Sequence, residues 1–256
     1  MVVPAQEEEK IMKLDRVRPA SSIRIKPILW RKIHKWVGLV LGLQFVLWTL
    51  SGAVMALLDS DKVGGHSAAP MAAAARAWPV DMVSPPTGVA VEGLAMRWIV
   101  DRPVFEIKDK QAIRLVDARS GQPVSIDATL AEKIARDAFH HASRVSSVAL
   151  LGKANLESRD HPGAMWRVDF DDAENSSSYI SAETGRALVN RGDTWRLWDI
   201  AWMLHNMDYV NRSSFNHPLI IFVAFGALWL SFTGFYLLFK SFRRREFKWL
   251  LGTGKQ

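Results

Sequence analysis

The 256-residue chain has no cysteine. That excludes disulfides, thiolate zinc sites, cysteine-ligated iron–sulfur clusters and covalent haem attachment through a CxxCH motif. Any redox group would be held without a covalent link, by histidine or methionine. Charge is also missing over two long stretches, Val37 to Leu58 and Pro218 to Phe239. At about 1.5 Å rise per residue, each run reaches across most or all of the roughly 30 Å hydrocarbon core of a bilayer. No HExxH motif, Ser-His-Asp spacing or nucleotide fingerprint is present. The terminal Gly252-Thr253-Gly254-Lys255 lacks the leading glycine and the strand–loop–helix setting of a phosphate loop.

What is present is unevenly placed. The formal net charge is +7, but residues 59–216 hold 18 Lys+Arg against 21 Asp+Glu, leaving 15 and 5 for the rest. The basic excess belongs to the two tails. Short basic segments beside membrane runs stay on the cytoplasmic side, so both termini are expected there and the central insert beyond the membrane. This distribution argues for a lipid bilayer as partner and against nucleic acid. The inner membrane of a bacterium is the expected location, with the insert in the periplasm. The first apolar run is too long for a signal-peptide core, and its leader of about thirty residues too long for the charged region before one. Retention of that run is expected, although the small-residue stretch Ser67–Ala75 follows it.

Taken in order, residues 1–29 read as a charged, proline-broken cytoplasmic tail, and 30–59 as the first transmembrane helix. Gly38 and Gly42 form a small-xxx-small pair suited to close helix packing. Residues 60–86 read as a linker, with a helical turn open at 72–78. Residues 87–190 carry a weak internal repeat: Val104–Val124 and Val168–Val189 each show two alternating runs and a tight turn, at Ser120-Gly121 and Thr184-Gly185. Thr129-Leu130-Ala131-Glu132 reads as a capping box opening a helix to about His141. Val145–Leu151 reads as a further strand. The insert is therefore expected to hold two α+β modules of similar build.

In 191–216, Trp195, Trp198, Trp202, His205 and Tyr209 share one helical face. That pattern suits an amphipathic helix at the membrane surface, with the rings as anchors. Residues 217–240 read as the second transmembrane helix and 241–256 as a basic tail. The fold class is thus an α-helical membrane protein. Two antiparallel transmembrane helices flank an α+β extracytoplasmic insert.

Of seven histidines, His34, His205 and His217 sit at membrane boundaries, where ionisable groups are candidates for function. His34 precedes Ser51-Gly52, and His217 precedes Thr233-Gly234, by about five helical turns, roughly 25 Å. In antiparallel helices this places Gly234 at the depth of His34, and Gly52 at the depth of His205 and His217. An imidazole opposite a missing side chain leaves room for a flat ligand such as a non-covalent haem. The same residues also suit polar anchoring and helix packing. His140 and His141 end the insert's helix, and His66 and His161 lie in loops. The Asp169-Asp171-Asp172-Glu174 cluster reads as a strand edge and turn, with cation binding as the other option.

Four stretches taken together resemble the PepSY-associated transmembrane family. They are Arg31-Lys32-Ile33-His34-Lys35-Trp36-Val37-Gly38-Leu39, Ser181-Ala182-Glu183-Thr184-Gly185, Met203-Leu204-His205 with Asp208-Tyr209, and Thr233-Gly234-Phe235-Tyr236-Leu237-Leu238. The resemblance implies tandem PepSY-like modules outside the membrane. It also implies a link to iron uptake, since some larger members resemble reductases with two b-type haems that release iron from ferric siderophores. It implies haem b as cofactor and His34, His205 and His217 as iron ligands, with Gly52 and Gly234 beside them. Those members have more membrane helices than the two here. A homo-oligomer or a partner membrane subunit would complete the set. A haem-free, membrane-anchored binding or scaffold protein is the alternative.

Overall fold

The computed structural model describes residues 27–65, 76–85, 91–110 and 112–241. The order is α1 (Pro27–Leu57), α2 (Ser60–Gly64), β1 (Gly93–Ile99), β2 (Arg102–Lys108), β3 (Ile113–Asp117), α3 (Ala128–Phe139), β4 (Arg144–Leu151), β5 (Met165–Asp171), β6 (Ser177–Ser181), β7 (Ala187–Arg191), α4 (Asp193–Asn206) and α5 (Pro218–Ser241). Contacts divide the chain into two compact units, residues 1–45 with 222–256, and residues 46–221. Most of the helical turn expected at 72–78, and nearly all of both tails, lie outside the described residues; 76–79 has no regular structure.

α1 and α5 are each long and apolar enough to cross a membrane. They flank an α+β region, as expected. α1 begins at Pro27, three residues before the expected start, because proline in a first turn forfeits no helical hydrogen bond. In the first unit α1 and α5 run antiparallel: His34 meets Gly234, Gly38 meets Leu230, and Leu41 meets Gly226. The tight approach is at Gly226, where an added Cβ would lie 2.9 Å from Leu41 Cδ1. Gly42 has open space around it, so the expected Gly38/Gly42 packing face is not formed as a pair. Leu39, Val40, Leu43, Phe222, Phe225 and Phe232 stay exposed, an apolar surface that water would not tolerate on this scale.

The second unit contains two antiparallel sheets, ordered β1-β2-β3 and β4-β5-β6-β7. Alternation along β2 sends Val104 to one core and Phe105 and Ile107 to another, as its period of two requires. α3 places Ala131, Ile134 and Ala135 against Ile99, Val104 and Leu115 of the first sheet and Val168, Phe170 and Ile180 of the second. Full burial of a valine or isoleucine contributes about 1.5–3 kcal/mol, so this shared core dominates the stability of the insert.

The helix begins earlier than the capping box implied. Asp127 caps it by accepting from the Leu130 N–H at 2.8 Å, and His140 closes it in the left-handed region. The two expected turns do form alike. Gly121 N–H donates to Asp117 O, and Gly185 N–H to Ser181 O, each glycine at φ near +70°. The halves are nevertheless unequal: among the described residues α3 serves both sheets, and the first has no helix of its own. Arg97 and Arg186 clamp Glu106 between sheet one and the Thr184-Gly185 turn, at 2.7 and 2.9 Å.

Candidate functional site

In the first unit His34, on α1, faces α5. Its Nδ1 lies 2.8 Å from Thr233 Oγ1. Thr233 Oγ1 in turn donates back along its helix to Trp229 O at 2.9 Å, with Leu230 O at 3.1 Å. A carbonyl has no proton to give, so the hydroxyl proton points to it. The oxygen is then left to accept, and on this ground Nδ1 is assigned as the protonated nitrogen. The Trp229 indole lies 6.4 Å from the imidazole at 40°, and Trp30 stacks on Trp229 at 6.0 Å.

The second unit repeats this arrangement on different elements. His205, in the last turn of α4, has Nδ1 3.2 Å from Ser51 Oγ on α1. Ser51 Oγ donates to Leu47 O at 2.6 Å, with Trp48 O at 3.2 Å. The Trp48 ring lies 6.4 Å from the imidazole at 40°, the same relation as in the first site. His205 Nε2, like that of His34, has no hydrogen-bond partner among the described residues. Both histidines thus show an imidazole oriented from behind through Nδ1, with Nε2 unpartnered among the described residues.

The glycines do something other than expected. An added Cβ at Gly52 would meet His205 Cε1 at 3.4 Å, and one at Gly234 would meet His34 Cε1 at 3.7 Å. The edge of each imidazole borders the space its glycine leaves, at ordinary van der Waals distance from where a Cβ would stand. Sequence reasoning picked out the Ser/Thr-Gly pairs but weighed only the glycine; the hydroxyl residue before it was the missed signal.

His217 is arranged differently. Its Nε2 lies 2.6 Å from Asn206 O, so it must donate there and is not bare. It binds the C-terminal end of α4 rather than presenting Nε2 beside His205. The intervening loop is fixed by Asp208, whose carboxylate accepts from the Asn211, Ser213 and Ser214 N–H groups at 3.1, 2.9 and 3.2 Å. Desolvation pushes the Asp208 carboxyl up, but these backbone donors outweigh it and hold it down at about 2.

α4 ends at Asn206, and Trp195 is buried rather than an anchor at a membrane surface. Arg191 and Arg159 lie over its ring at 4.2 and 5.6 Å. Trp198 and Trp202 stack on each other at 5.0 Å, and Phe215 meets Trp202 edge-on. The polar side of α4 is bound chiefly to the loop between β4 and β5. Arg196 donates to Glu157 at 2.7 Å, and buried Asp199 bridges Arg159 and Arg212, each at 2.8 Å. Glu157 also accepts from the buried Tyr179 hydroxyl, and burial together with that carboxylate pushes the phenol up to about 12. The helix carrying His205 is thereby fixed to the α+β body. Nearby, α2 turns at Gly65, whose left-handed φ and contact with Asn190 O exclude any side chain.

His141, expected only to end a helix, stacks on Phe170 at 3.9 Å with Nε2 3.2 Å from Asn190 Oδ1 and 3.3 Å from Ser178 Oγ. Asp172 lies 3.6 Å from Nδ1. Burial pulls this imidazole below its usual range. The set is not hydrolytic, because Ser178 is fully enclosed and its hydroxyl donates to Asn190. In the acidic cluster, Asp169 accepts from Arg167, Ser147 and Ser177, Asp172 from the Glu174 and Ser176 N–H groups, and Glu174 from Lys62 and Thr194. Among the described residues no group of three such side chains is placed to hold a metal. His66 lies outside the described residues.

Compared with protein-family models, characterised proteins and solved structures, the chain matches none of them.

Proposed function

We propose that the chain is a b-type haem protein of the bacterial inner membrane that passes electrons outward, toward ferric siderophores or other periplasmic iron chelates. One observation carries the reading. Two imidazoles on different helices are each held through Nδ1 by a hydroxyl whose own proton is spent on a helix carbonyl. Orientation of a ligating histidine by a hydrogen bond to its other nitrogen is what metal ligation asks of the protein. The donor set fits: neutral Nε2 is the usual axial ligand of a non-covalent haem, and indoles at 6.4 Å supply apolar walls.

His34 and His205 would hold iron. A bound haem would supply one-electron transfer. Thr233 and Ser51 would keep each imidazole in the Nδ1–H form, and Gly234 and Gly52 would let the rings approach. His217 would join as a further ligand through Nε2 only by releasing Asn206 O. Each site offers one bare Nε2 per chain, so six-coordinate iron calls for a second histidine from a copy of this chain or a partner membrane subunit. Basic flanks support cytoplasmic termini, and the strand–turn–strand repeat supports PepSY-like modules in the periplasm.

A second reading is a haem-free anchored scaffold that binds an extended segment. β4 favours it: it is an edge strand with mostly exposed residues, and such edges accept added strands.

The test is haem content of the purified full chain after expression with ample haem. His34→Ala and His205→Ala should each lower it, and the double variant should abolish it. Content unaffected by both substitutions contradicts the reading.

A further inference from the structure

A cleft of about 620 Å³ opens between α1 and α5 in the first unit, lined among others by Trp30, Arg31, Phe232, Tyr236, Leu237 and Lys240. Its walls are aromatic and aliphatic. Among the described residues its lining holds two cations and no carboxylate. Arg31 has no ion pair among the described residues, and the first turn of α1 has no acidic side chain. Among the described residues Lys240 reaches the Tyr236 hydroxyl alone, at 3.3 Å, and lies 5.5 Å from the centre of that ring. Uncompensated cations at the rim of an apolar cleft fit a ligand that is anionic at one end and hydrocarbon at the other.

We propose that this cleft binds an anionic phospholipid of the surrounding membrane. Its phosphate lies between Arg31 and Lys240, with the Tyr236 hydroxyl as a third donor, and an acyl chain runs along Trp30, Phe232 and Leu237. Several observations favour this occupant. Both cations stand near the ends of helices long enough to cross a bilayer, where headgroups lie. Phe232 and Tyr236 are themselves exposed, so a chain reaches the cleft from the side. His34 itself is not among the lining residues but its partner Thr233 is, so the cleft adjoins the His34 site and the carboxylates of a haem are the competing occupant. The proposal does not depend on the cofactor reading.

The experiment is native mass spectrometry of the full chain in detergent with equimolar phosphatidylglycerol and phosphatidylcholine. The wild type should retain phosphatidylglycerol preferentially. Arg31→Gln with Lys240→Gln should weaken that retention roughly thirty-fold, as expected for two basic groups worth about 1 kcal/mol each near a membrane surface. Lys32→Gln with Lys35→Gln removes the same amount of charge, from the first turns of α1 alone, without touching the cleft lining, and should leave retention intact. Leu237→Trp keeps both charges, fills the cleft and should also weaken retention. Equal losses in the two double variants would overturn the proposal in favour of general attraction to a basic surface. Unchanged lipid retention with loss of haem absorbance on Arg31→Gln/Lys240→Gln would overturn it in favour of the cofactor's carboxylates.

Discussion

The Nδ1 of His34 lies 2.8 Å from the Thr233 hydroxyl oxygen, and that hydroxyl is turned back onto the carbonyl of Trp229. The same three-part chain recurs from His205 through Ser51 to Leu47 O. Neither α4 nor the local sequence around His205 copies the first site. What recurs is the chemistry: a hydroxyl one residue before a glycine, opposite a histidine. Removing the acceptor while keeping the shape isolates its role. Thr233→Val should weaken haem binding at the His34 site by about ten- to a hundred-fold, the usual cost of losing an orienting partner behind a ligating histidine. Thr233→Ser should restore it. Haem titration followed by absorbance checks both, and unchanged affinity in the valine variant would leave Thr233 only its bond back to the carbonyls of its own helix.

The glycines invite a graded test. An added methyl at Gly52 or Gly234 would make ordinary contact with the imidazole, at 3.4 and 3.7 Å. Gly52→Ala and Gly234→Ala should therefore keep haem content near that of the wild type. Gly52→Leu and Gly234→Leu should push the ring away from its hydroxyl and lower content at that site alone.

Asp199 is buried between Arg159 and Arg212. Asp199→Ala leaves two cations without their anion and should destabilise the second unit by about 3–5 kcal/mol. Thermal unfolding of the full chain in detergent measures this. A shift of only a degree or two would mean that water already solvates the pair.

Acid should loosen the molecule in two steps. The His141 imidazole is depressed by burial, so the unfolded chain binds its proton more readily. Stability is complete above the unfolded value near 6.5 and falls as pH drops below it toward the folded value. His141→Phe should flatten that part of the profile. The Asp208 carboxyl is also depressed, to about 2, so its contribution is present above the unfolded value near 4 and lost as pH falls through about 2. Hydrogen exchange at the Asn211, Ser213 and Ser214 amides should report this second step.

Much of this arrangement could be read from the chain itself. The two uncharged runs, the strand alternation around Val104 and Phe105, and the paired tight turns follow from local periodicity and glycine conformation. The pairing of His34 with Gly234, and of His205 with Gly52, followed from counting helical turns in opposite directions. The remainder depends on contacts between distant residues. Trp195 shares a helical face with Trp198 and Trp202, yet Arg191, at the end of the preceding strand, and Arg159, from the loop between β4 and β5, lie over it. His217 reads like His205 in sequence, but the carbonyl at the end of α4 claims its nitrogen. The two hairpins look equivalent, but one helix packs on both sheets, a saving that periodicity cannot show.

The most direct test of the central claim is a reduced-minus-oxidised absorption spectrum of the detergent-solubilised full chain, purified from haem-replete cells. The account expects a Soret band that shifts on dithionite reduction, with the α and β bands of a b-type haem, and their loss when His34 and His205 are both replaced by alanine. A colourless protein that remains folded and membrane-inserted would contradict it.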